Sequence, residues 1–382
     1  MRLLAGYVGA ALVLFILWDA FESIVLPRRV TRRFRITRLF YRVTWLPWWL
    51  FARRLRPGKP RQALLSAFGP LSLILLLASW ALALIFGFAL IHVAAGTVSA
   101  APLSTGNFWP SLYMSGSTFF TLGLGDVTPH TTSGRVITVF ESGVGFGFLA
   151  IVIGYLPVIY NAFSRRETNI SLLDARAGSP PTARELIARY GRQENVALLA
   201  GFLHDWEAWT AELMESHLSY PVLCYYRSQH DNQSWLAALT AILDACALLV
   251  TYVEGEVAWQ ARLTFAIARH AVVDICQVLN VAPIPPREDR LPSADLAAIR
   301  RELAEAGMTL CDRETAERGL TEHRRMYEPY VNALAARLLM PIPSWTGTSR
   351  AANWQTSAWE KVSAGASADE AGAATPADEE HV

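Results

Sequence analysis

Cysteine is scarce in this sequence, and its placement argues against two classes of protein. The 382 residues include four cysteines, which show no CxxC pairing and have no histidine at metal-ligand spacing. Because a disulfide framework and a zinc site both need such patterns, neither is expected. The cysteines are interpreted as buried reduced thiols: Cys224, Cys246, Cys276 and Cys311.

Signatures of nucleotide and nucleic-acid binding are also missing. The formal net charge is +1, so no strong overall field attracts a polyanion. No glycine-rich loop follows a strand pattern, and the run Gly143-x-Gly145-x-Gly147 lies inside an apolar helical segment. A Rossmann-type nucleotide site is therefore not expected, and no cofactor and no nucleic-acid partner are predicted.

Charge of one sign is absent from each of two stretches, and this asymmetry predicts an orientation in a membrane. Between Pro27 and Ala63 there are 12 Lys or Arg and no acidic residue. Between Ala94 and Gly134 there is no Lys or Arg. Since basic loops remain in the cytoplasm, the first stretch is predicted to be cytoplasmic and the second external. The protein is then predicted to lie in the cell (inner) membrane with its N-terminus on the external side and the chain after residue 166 in the cytoplasm.

Apolar residues are abundant, at 52% of the sequence. Three segments are long enough to cross a bilayer core of ~30 Å: Leu3–Leu26, Leu71–Val93 and Val136–Phe163. The first begins like a signal peptide, but it is long and lacks a small-residue cleavage site, so a retained span is expected.

A basic, aromatic segment over residues 31–56 separates the first two spans. It is predicted to form a helix in the membrane interface, with aromatic rings at headgroup depth and arginines on lipid phosphates. Pro47 is expected to kink or interrupt that helix. A solvated basic linker is the alternative. The residues that carry the pattern are Arg32, Arg33, Phe34, Arg35, Arg38, Leu39, Phe40, Arg42, Trp45, Trp48 and Trp49.

The second half of the sequence is predicted to be all-helical, because apolar residues recur at three- and four-residue spacing. The expected helices are Ala183–Tyr190, Glu194–His217, Gln233–Val253, Trp259–Leu279, Ala294–Ala306 and Arg313–Leu339, with N-caps at Asp231, Asn232 and Ser293. Trp235–Val253 is apolar enough to imitate a fourth span, but Asp244 favours a buried soluble helix. From Ser363 onward the composition predicts disorder.

The segment Ser216–Trp235 gathers several titratable and polar residues within this half. Because histidine titrates near neutral pH, a ligand-binding or proton-sensing pocket is one interpretation. A surface loop with helix caps is the other. The residues concerned are His217, Tyr220, Tyr225, Tyr226, Arg227, His230, Asp231 and Gln233.

The loop between the second and third spans carries the pattern most specific for a function. Asn107–Phe120 is a short helical run that leads directly into Thr121-Leu122-Gly123-Leu124-Gly125-Asp126. Glycine readily adopts positive φ, so alternating glycines can point successive carbonyl groups to one side. Irregular backbone at membrane depth is tolerated where it is buried in protein or lines a water-filled path. A ring of such carbonyls from several copies of the chain can replace the hydration shell of a cation.

This pattern resembles the potassium channel superfamily, and most closely its bacterial members with two transmembrane helices per subunit. The resemblance covers about Leu64 to Glu167 and continues beyond the filter as Asp126-x-x-Pro129-x-Thr131-x-x-Gly134-Arg135. It implies a homotetrameric pore through which potassium ions permeate passively. It also implies that Gly145 is a gating hinge and that Ser142, Phe146, Leu149 and Ile153 line the pore. Gly143, Gly147 and Pro157 are further candidates for flexure.

By the same resemblance, Thr121 supplies a hydroxyl and a carbonyl at the inner end of the filter. Leu122, Gly123, Leu124 and Gly125 supply or orient carbonyls, and Asp126 concentrates cations at the outer mouth. Three positions depart from the family: Leu124 replaces an aromatic residue, Phe120 a threonine and Ser117 a pore-helix acid. A monovalent cation channel without strict preference for potassium over sodium is therefore the open alternative.

Acidic residues within the spans allow more than one interpretation. Asp19 and Glu22 either have a function in the membrane or pair with Arg28 or Arg29. Glu141 either supports the back of the filter or hydrogen-bonds a neighbour.

The predicted fold is an all-α membrane protein with five segments. These are an N-terminal transmembrane helix (1–30), an interfacial helix (31–62), a pore domain (63–166), a helical cytosolic domain (167–345) and a disordered tail (346–382). The predicted function is a passive channel subunit, not an enzyme, with an unknown regulator of the cytosolic domain. A non-conducting membrane receptor and a membrane enzyme remain the alternatives.

Overall fold

A computed structural model describes residues 1–26, 36–97, 108–191, 196–230, 232–305, 308 and 310–346. A π-helical turn (Phe21–Val25) extends the first helix, and a 3-10 turn (Pro221–Tyr225) follows the seventh. The described residues contain eleven α-helices: α1 (Arg2–Ala20), α2 (Ile36–Arg54), α3 (Lys59–Ala95), α4 (Phe108–Phe119), α5 (Thr132–Ala177), α6 (Ala183–Gly191), α7 (Val196–Ser219), α8 (Trp235–Tyr252), α9 (Glu256–Val278), α10 (Ser293–Glu305) and α11 (Arg313–Leu338).

The helices α3 and α5 contain the second and third predicted spans, and α1 together with its π-helical turn covers the first span as far as Val25; each is long and apolar enough to cross a bilayer. The helix α5 continues without a break past Pro157 and past residue 166, where the pore and cytosolic domains are predicted to divide. Among the described residues the only β-type pairing is an isolated bridge between Val253 and Leu310. The predicted all-α membrane fold is therefore confirmed.

Asp19 joins the first three helices through a buried carboxylate. Its oxygens accept hydrogen bonds from the indole of Trp80 (3.1 Å), the hydroxyl of Thr37 (2.9 Å) and the backbone N–H of Ile36 (3.2 Å). The last of these lies at the N-terminus of α2, where a negative charge is favourable. The expected partners Arg28 and Arg29 lie outside the described residues. These contacts give Asp19 a structural role between α1, α2 and α3.

The helix α2 is attached to the C-terminal helical domain by one face. The indole N–H groups of Trp45 and Trp49 donate to the carbonyls of Arg337 (3.1 Å) and Ala336 (3.2 Å) in the last turn of α11. Carbonyls at the end of a helix have no partner within that helix, so these contacts satisfy groups that need one. A solvated linker is therefore wrong for residues 36–54. Pro47 was predicted to kink or interrupt this helix, and α2 runs through it without interruption.

The opposite face of α2 carries exposed aliphatic side chains. They recur at helical spacing and are Leu39, Val43, Leu46 and Leu50. The arginines Arg38, Arg42, Arg53 and Arg54 are exposed on the same helix. The helix thus presents an aromatic face to the protein and an aliphatic face with basic residues to its surroundings.

The 3-10 turn after α7 packs against the membrane helices through aromatic rings. Tyr225 lies at the centre, with ring centroids 4.9 Å from Trp45, 5.2 Å from Phe68 and 5.7 Å from Tyr41. Aromatic pairs at such distances stabilise beyond the area that they bury. Tyr225 therefore connects the C-terminal helical domain to both α2 and α3.

The helix α8 forms the centre of the C-terminal helical domain, which is predicted to be cytosolic. Of its most apolar 18-residue stretch, 89% is buried inside the protein, which favours the predicted soluble helix over a fourth span. Its N-cap is Ser234, whose hydroxyl accepts from the N–H of Ala237, so the prediction of Asn232 as the cap was wrong. Asp231 lies outside the described residues. Helix α10 begins at Ser293 itself, one position earlier than an N-cap at Ser293 requires.

The cysteines and the polar segment before α8 have mainly structural surroundings. The structure confirms free, buried thiols at Cys224, Cys246 and Cys276, whereas Cys311 is only half-buried. Burial raises the pKa of Cys224 to about 12, so this residue remains a thiol.

The guanidinium of Arg227 donates to the carbonyls of Leu338 and Leu339 at the end of α11. The neighbourhood of Arg227 is thus a packed joint rather than an exposed loop.

A buried arginine holds the C-terminal part of α5 in the same joint. The guanidinium of Arg166 donates to the carbonyls of Leu223 and Tyr226, both at 3.0 Å. It also lies 3.3 Å from Nε2 of His217, whose Nδ1 bonds the carbonyl of Leu213 at 2.8 Å. Burial and the adjacent charge of Arg166 lower the pKa of His217 well below its usual value. The imidazole is therefore neutral in the folded protein.

The neutral His217 makes stability depend on pH. In the unfolded chain histidine binds a proton near pH 6.5, whereas the folded protein excludes it. As pH falls below about 6.5, stability should therefore decrease by about 1.4 kcal/mol per pH unit until the lowered folded pKa is reached. His217→Gln removes this titration but retains an acceptor for Arg166. Melting temperatures in detergent at pH 7.5 and 5.5 should show a smaller acid destabilisation in the variant than in the wild type.

His270→Gln is the matched control, because His270 is largely exposed on α9. This control should retain the pH dependence of the wild type. If the melting temperature falls equally at pH 5.5 in the wild type and in His217→Gln, a neutral, buried His217 is contradicted.

Candidate functional site

A short helix leads into the candidate filter, as predicted. Helix α4 covers Phe108–Phe119, and the predicted first residue, Asn107, lies outside the described residues. Beyond its last turn, the N–H of Phe120 donates to the carbonyl of Gly116 (3.1 Å), and the N–H of Leu122 donates to that of Ser117 (2.8 Å). The filter backbone is thereby attached directly to the end of α4.

The filter backbone alternates between two conformations. Thr121, Gly123 and Gly125 have positive φ angles of 56°, 59° and 78°, whereas Leu122 and Leu124 between them do not. Alternation of positive and negative φ can turn successive carbonyl groups to the same side of the chain. The two glycines were predicted to provide this geometry. The positive φ of Thr121 was not, because glycine is the usual residue in that conformation.

The filter is exposed in the single chain. All six residues from Thr121 to Asp126 are solvent-exposed, with Leu122 at 61% and Leu124 at 63%. The backbone around Gly123 and Gly125 has open space within 4 Å of the position of a Cβ atom. One copy of the chain therefore leaves its filter uncovered on one side.

The turn after the filter is attached to the helices on both sides. Tyr113 of α4 interacts with the carboxylate of Asp126. The N–H of His130 donates to the carbonyl of Thr97 (3.0 Å), and the hydroxyl of Thr131 accepts from the N–H of Gly134 as the N-cap of α5. Tyr113 of α4 thus holds Asp126 at the end of the candidate filter. This tyrosine partner was not predicted from the sequence.

A buried polar cluster lies between α3, α4 and α5. Ser115 donates from its hydroxyl to the carboxylate of Glu141, and the other carboxylate oxygen is 3.1 Å from Nε2 of His92. Nδ1 of His92 is 2.8 Å from the hydroxyl of Thr97. The sequence singled out Glu141 alone. An ionisable side chain in an apolar span is the signal that identifies His92 as well.

Gly145 allows α5 to approach the end of the pore helix. A Cβ atom on Gly145 would lie 2.2 Å from the carbonyl oxygen of Phe119, far below contact distance, whereas Gly143, Gly147 and Gly154 face open space. Gly145 therefore has a packing role in this structure, and the predicted hinge at Gly145, Gly143, Gly147 or Pro157 stays a prediction.

The predicted pore-lining residues lie beside the buried face of α5. That face contains Glu141, Gly145 and Phe148. Each of Ser142, Phe146 and Leu149 follows one of these in sequence and is therefore turned by about 100° around the helix. Phe146 is 69% exposed and Ile153 72% exposed in the single chain. These side chains are accessible for the predicted role.

Comparison with known proteins identifies the segment that carries this geometry. Residues 75–160 match a family model described as "Ion channel". The chain is also 23% identical over 298 residues to the uncharacterized membrane protein YdjJ of Bacillus subtilis, covering 76% of this chain and 84% of that protein. No solved structure matched.

The matched segment contains most of α3, all of α4 and the apolar part of α5, together with the filter. It supports an ion channel in a membrane protein. No group of three or more metal-ligating side chains occurs within the described part of the chain.

The contact at Gly145 can be tested by adding one methyl group. Gly145→Ala should force α5 and α4 apart and destabilise the protein by about 1–3 kcal/mol, as overpacking typically does. Gly147→Ala places the same methyl group in open space and should stabilise the helix by up to about 1 kcal/mol. Melting temperature and the fraction recovered as a monodisperse oligomer measure the difference. Equal stability of the two variants would show that α5 and Phe119 are not in contact.

Proposed function

We propose that this chain is one subunit of a homotetrameric channel that conducts potassium ions passively through residues 121–126. The observation that carries the proposal is the alternating backbone of Thr121, Gly123 and Gly125 at the end of a pore helix. The match of residues 75–160 to an ion channel model supports it independently.

The proposed mechanism uses backbone dipoles. Carbonyl groups turned to one side replace the hydration shell of a cation when several chains surround a common axis. The pore helix α4 directs its negative C-terminal end toward the filter, where a cation is favoured. Exposure of the filter in one chain is consistent with closure by further copies. Asp126 concentrates cations at the outer mouth.

Flux through reconstituted vesicles tests conduction and the filter together. Wild-type protein should carry Rb⁺ or K⁺ down a gradient, and Gly123→Asp should reduce the flux to that of protein-free vesicles. A charged side chain and a strained backbone at a left-handed position both block the path. Gly201→Asp is the matched control, because Gly201 lies on a cytosolic helix with open space around it. It should conduct as the wild type does.

The outcomes separate the alternatives. If vesicles with wild-type protein and vesicles with Gly123→Asp both show no Rb⁺ or K⁺ flux at every pH and voltage, a non-conducting receptor is favoured. Equal leak through both shows that residues 121–126 are not the filter. Reversal potentials with K⁺ on one side and Na⁺ on the other measure selectivity. A reversal potential near zero would show a cation channel that does not select potassium over sodium.

We further propose that α2 lies on the cytoplasmic surface of the membrane, with the N-terminus outside and the cytosolic domain inside. The run of basic residues around it supports this orientation. Its exposed aliphatic face suits the acyl boundary, and Arg38 and Arg42 suit anionic headgroups. Protease added to intact cells should leave the cytosolic domain uncut, whereas protease added to inverted membranes should cut it.

The contribution of lipid charge can be measured by thermal stability in nanodiscs. Replacing part of a neutral phospholipid by an anionic one should raise the melting temperature of the wild type, since each arginine near such a surface gains about 1 kcal/mol. Arg38→Gln with Arg42→Gln should reduce that rise. The control is Arg262→Gln with Arg269→Gln, two exposed arginines on α9. The same rise in both double variants would contradict a role of α2 in lipid binding.

A further inference from the structure

Four polar side chains in the pore region are fully excluded from solvent. His92, Thr97, Ser115 and Glu141 each have 0% exposure, although α3 and α5 are otherwise strongly apolar spans. Burying a polar or ionisable group costs several kcal/mol unless it is hydrogen-bonded. Each of the four therefore needs its partner within the cluster.

The contacts form one continuous chain from α4 to the end of α3. The hydroxyl of Ser115 lies between the carboxyl group of Glu141 and the carbonyl of Ile85 (2.8 Å), and its single proton is available to one of these two acceptors at a time. Glu141 contacts His92, and His92 contacts Thr97. The hydroxyl of Thr97 lies 3.3 Å from the carbonyl of His92, which closes the chain onto α3. Three helices are thus joined by side chains whose partners all lie within the cluster or on the adjacent backbone carbonyls of Ile85 and His92.

This cluster reaches both ends of the pore loop. Ser115 is two residues before Ser117, whose carbonyl accepts the N–H of Leu122 in the filter. At the other end, the carbonyl of Thr97 accepts the N–H of His130 in the turn after the filter. A Cβ atom on Gly134 would lie 2.6 Å from Cβ of Thr97, so the start of α5 is also packed on this residue. The entry to the filter and its exit are attached to the same buried chain.

We propose that Glu141 and His92, with Ser115 and Thr97, form a brace that positions the filter and determines how well it distinguishes potassium from sodium. This rests on the proposed channel function. The four residues touch no permeating ion and are positioning residues. Ion discrimination depends on carbonyl positions within fractions of an ångström, so loss of the brace should alter selectivity before it abolishes assembly.

Two substitutions at Glu141 separate hydrogen bonding from packing. Glu141→Leu has a similar size but leaves the hydroxyl of Ser115 and the imidazole of His92 without this partner. Glu141→Gln retains an acceptor for Ser115 and an amide that can bond to His92. Glu302→Leu is the control, since it removes an acid that pairs with Arg184 in the cytosolic domain.

The measurement is the ratio of potassium to sodium permeability, from reversal potentials of tetramers shown intact by size-exclusion chromatography. Glu141→Leu should lower the ratio roughly fivefold, the equivalent of one hydrogen bond of about 1 kcal/mol. Glu141→Gln and Glu302→Leu should retain the wild-type ratio. A second disruption, Ser115→Ala, should add little to Glu141→Leu, because both remove the same contact.

Failure of the brace and failure of the channel proposal give different results. A conducting wild type with the same ratio in Glu141→Leu overturns the brace and leaves the channel in place. Equal loss of selectivity in Glu141→Gln and Glu141→Leu overturns the hydrogen-bonding account. Absence of flux and of K⁺ binding by calorimetry in the wild type overturns the channel function and the brace with it.

Discussion

An irregular backbone at membrane depth has to be enclosed, because lipid offers no partners to its N–H and carbonyl groups. In the proposed channel, residues 120–131 are such a backbone, and much of the surrounding structure satisfies this requirement. The end of α4 accepts the first N–H groups of the loop, Thr97 accepts one beyond the filter, and Gly145 admits the carbonyl end of the pore helix against α5. The remaining open side is the one that further copies of the chain would cover.

Much of the architecture could be predicted from the sequence, because hydropathy and helical spacing are local properties. The spans, the pore helix and the buried character of α8 follow from such patterns. Side-chain partners distant in sequence could not be predicted in this way. The contacts of Asp19 with Trp80 and of Glu141 with His92 connect residues 61 and 49 positions apart. Nothing in the local spacing indicates them.

The same limit explains the differences at α2 and at the filter. The aromatic residues of α2 predicted an interface with lipid, yet Trp45 and Trp49 bond to the end of α11 instead. Composition alone does not say which face of an amphipathic helix meets protein and which meets lipid. In the filter, the positive φ of Thr121 depends on the loop as a whole rather than on the preference of threonine.

The unbroken helix α5 has a consequence for the permitted length of the chain. Its 46 residues extend about 69 Å at 1.5 Å per residue. Gly145 fits against the end of α4 near one end of α5, and Arg166 is enclosed by the contacts with the C-terminal helical domain further along. Removing one residue between these two positions would turn one contact by about 100° relative to the other. The number of residues between Gly145 and Arg166 is therefore constrained. Only insertions or deletions close to whole helical turns would preserve both contacts.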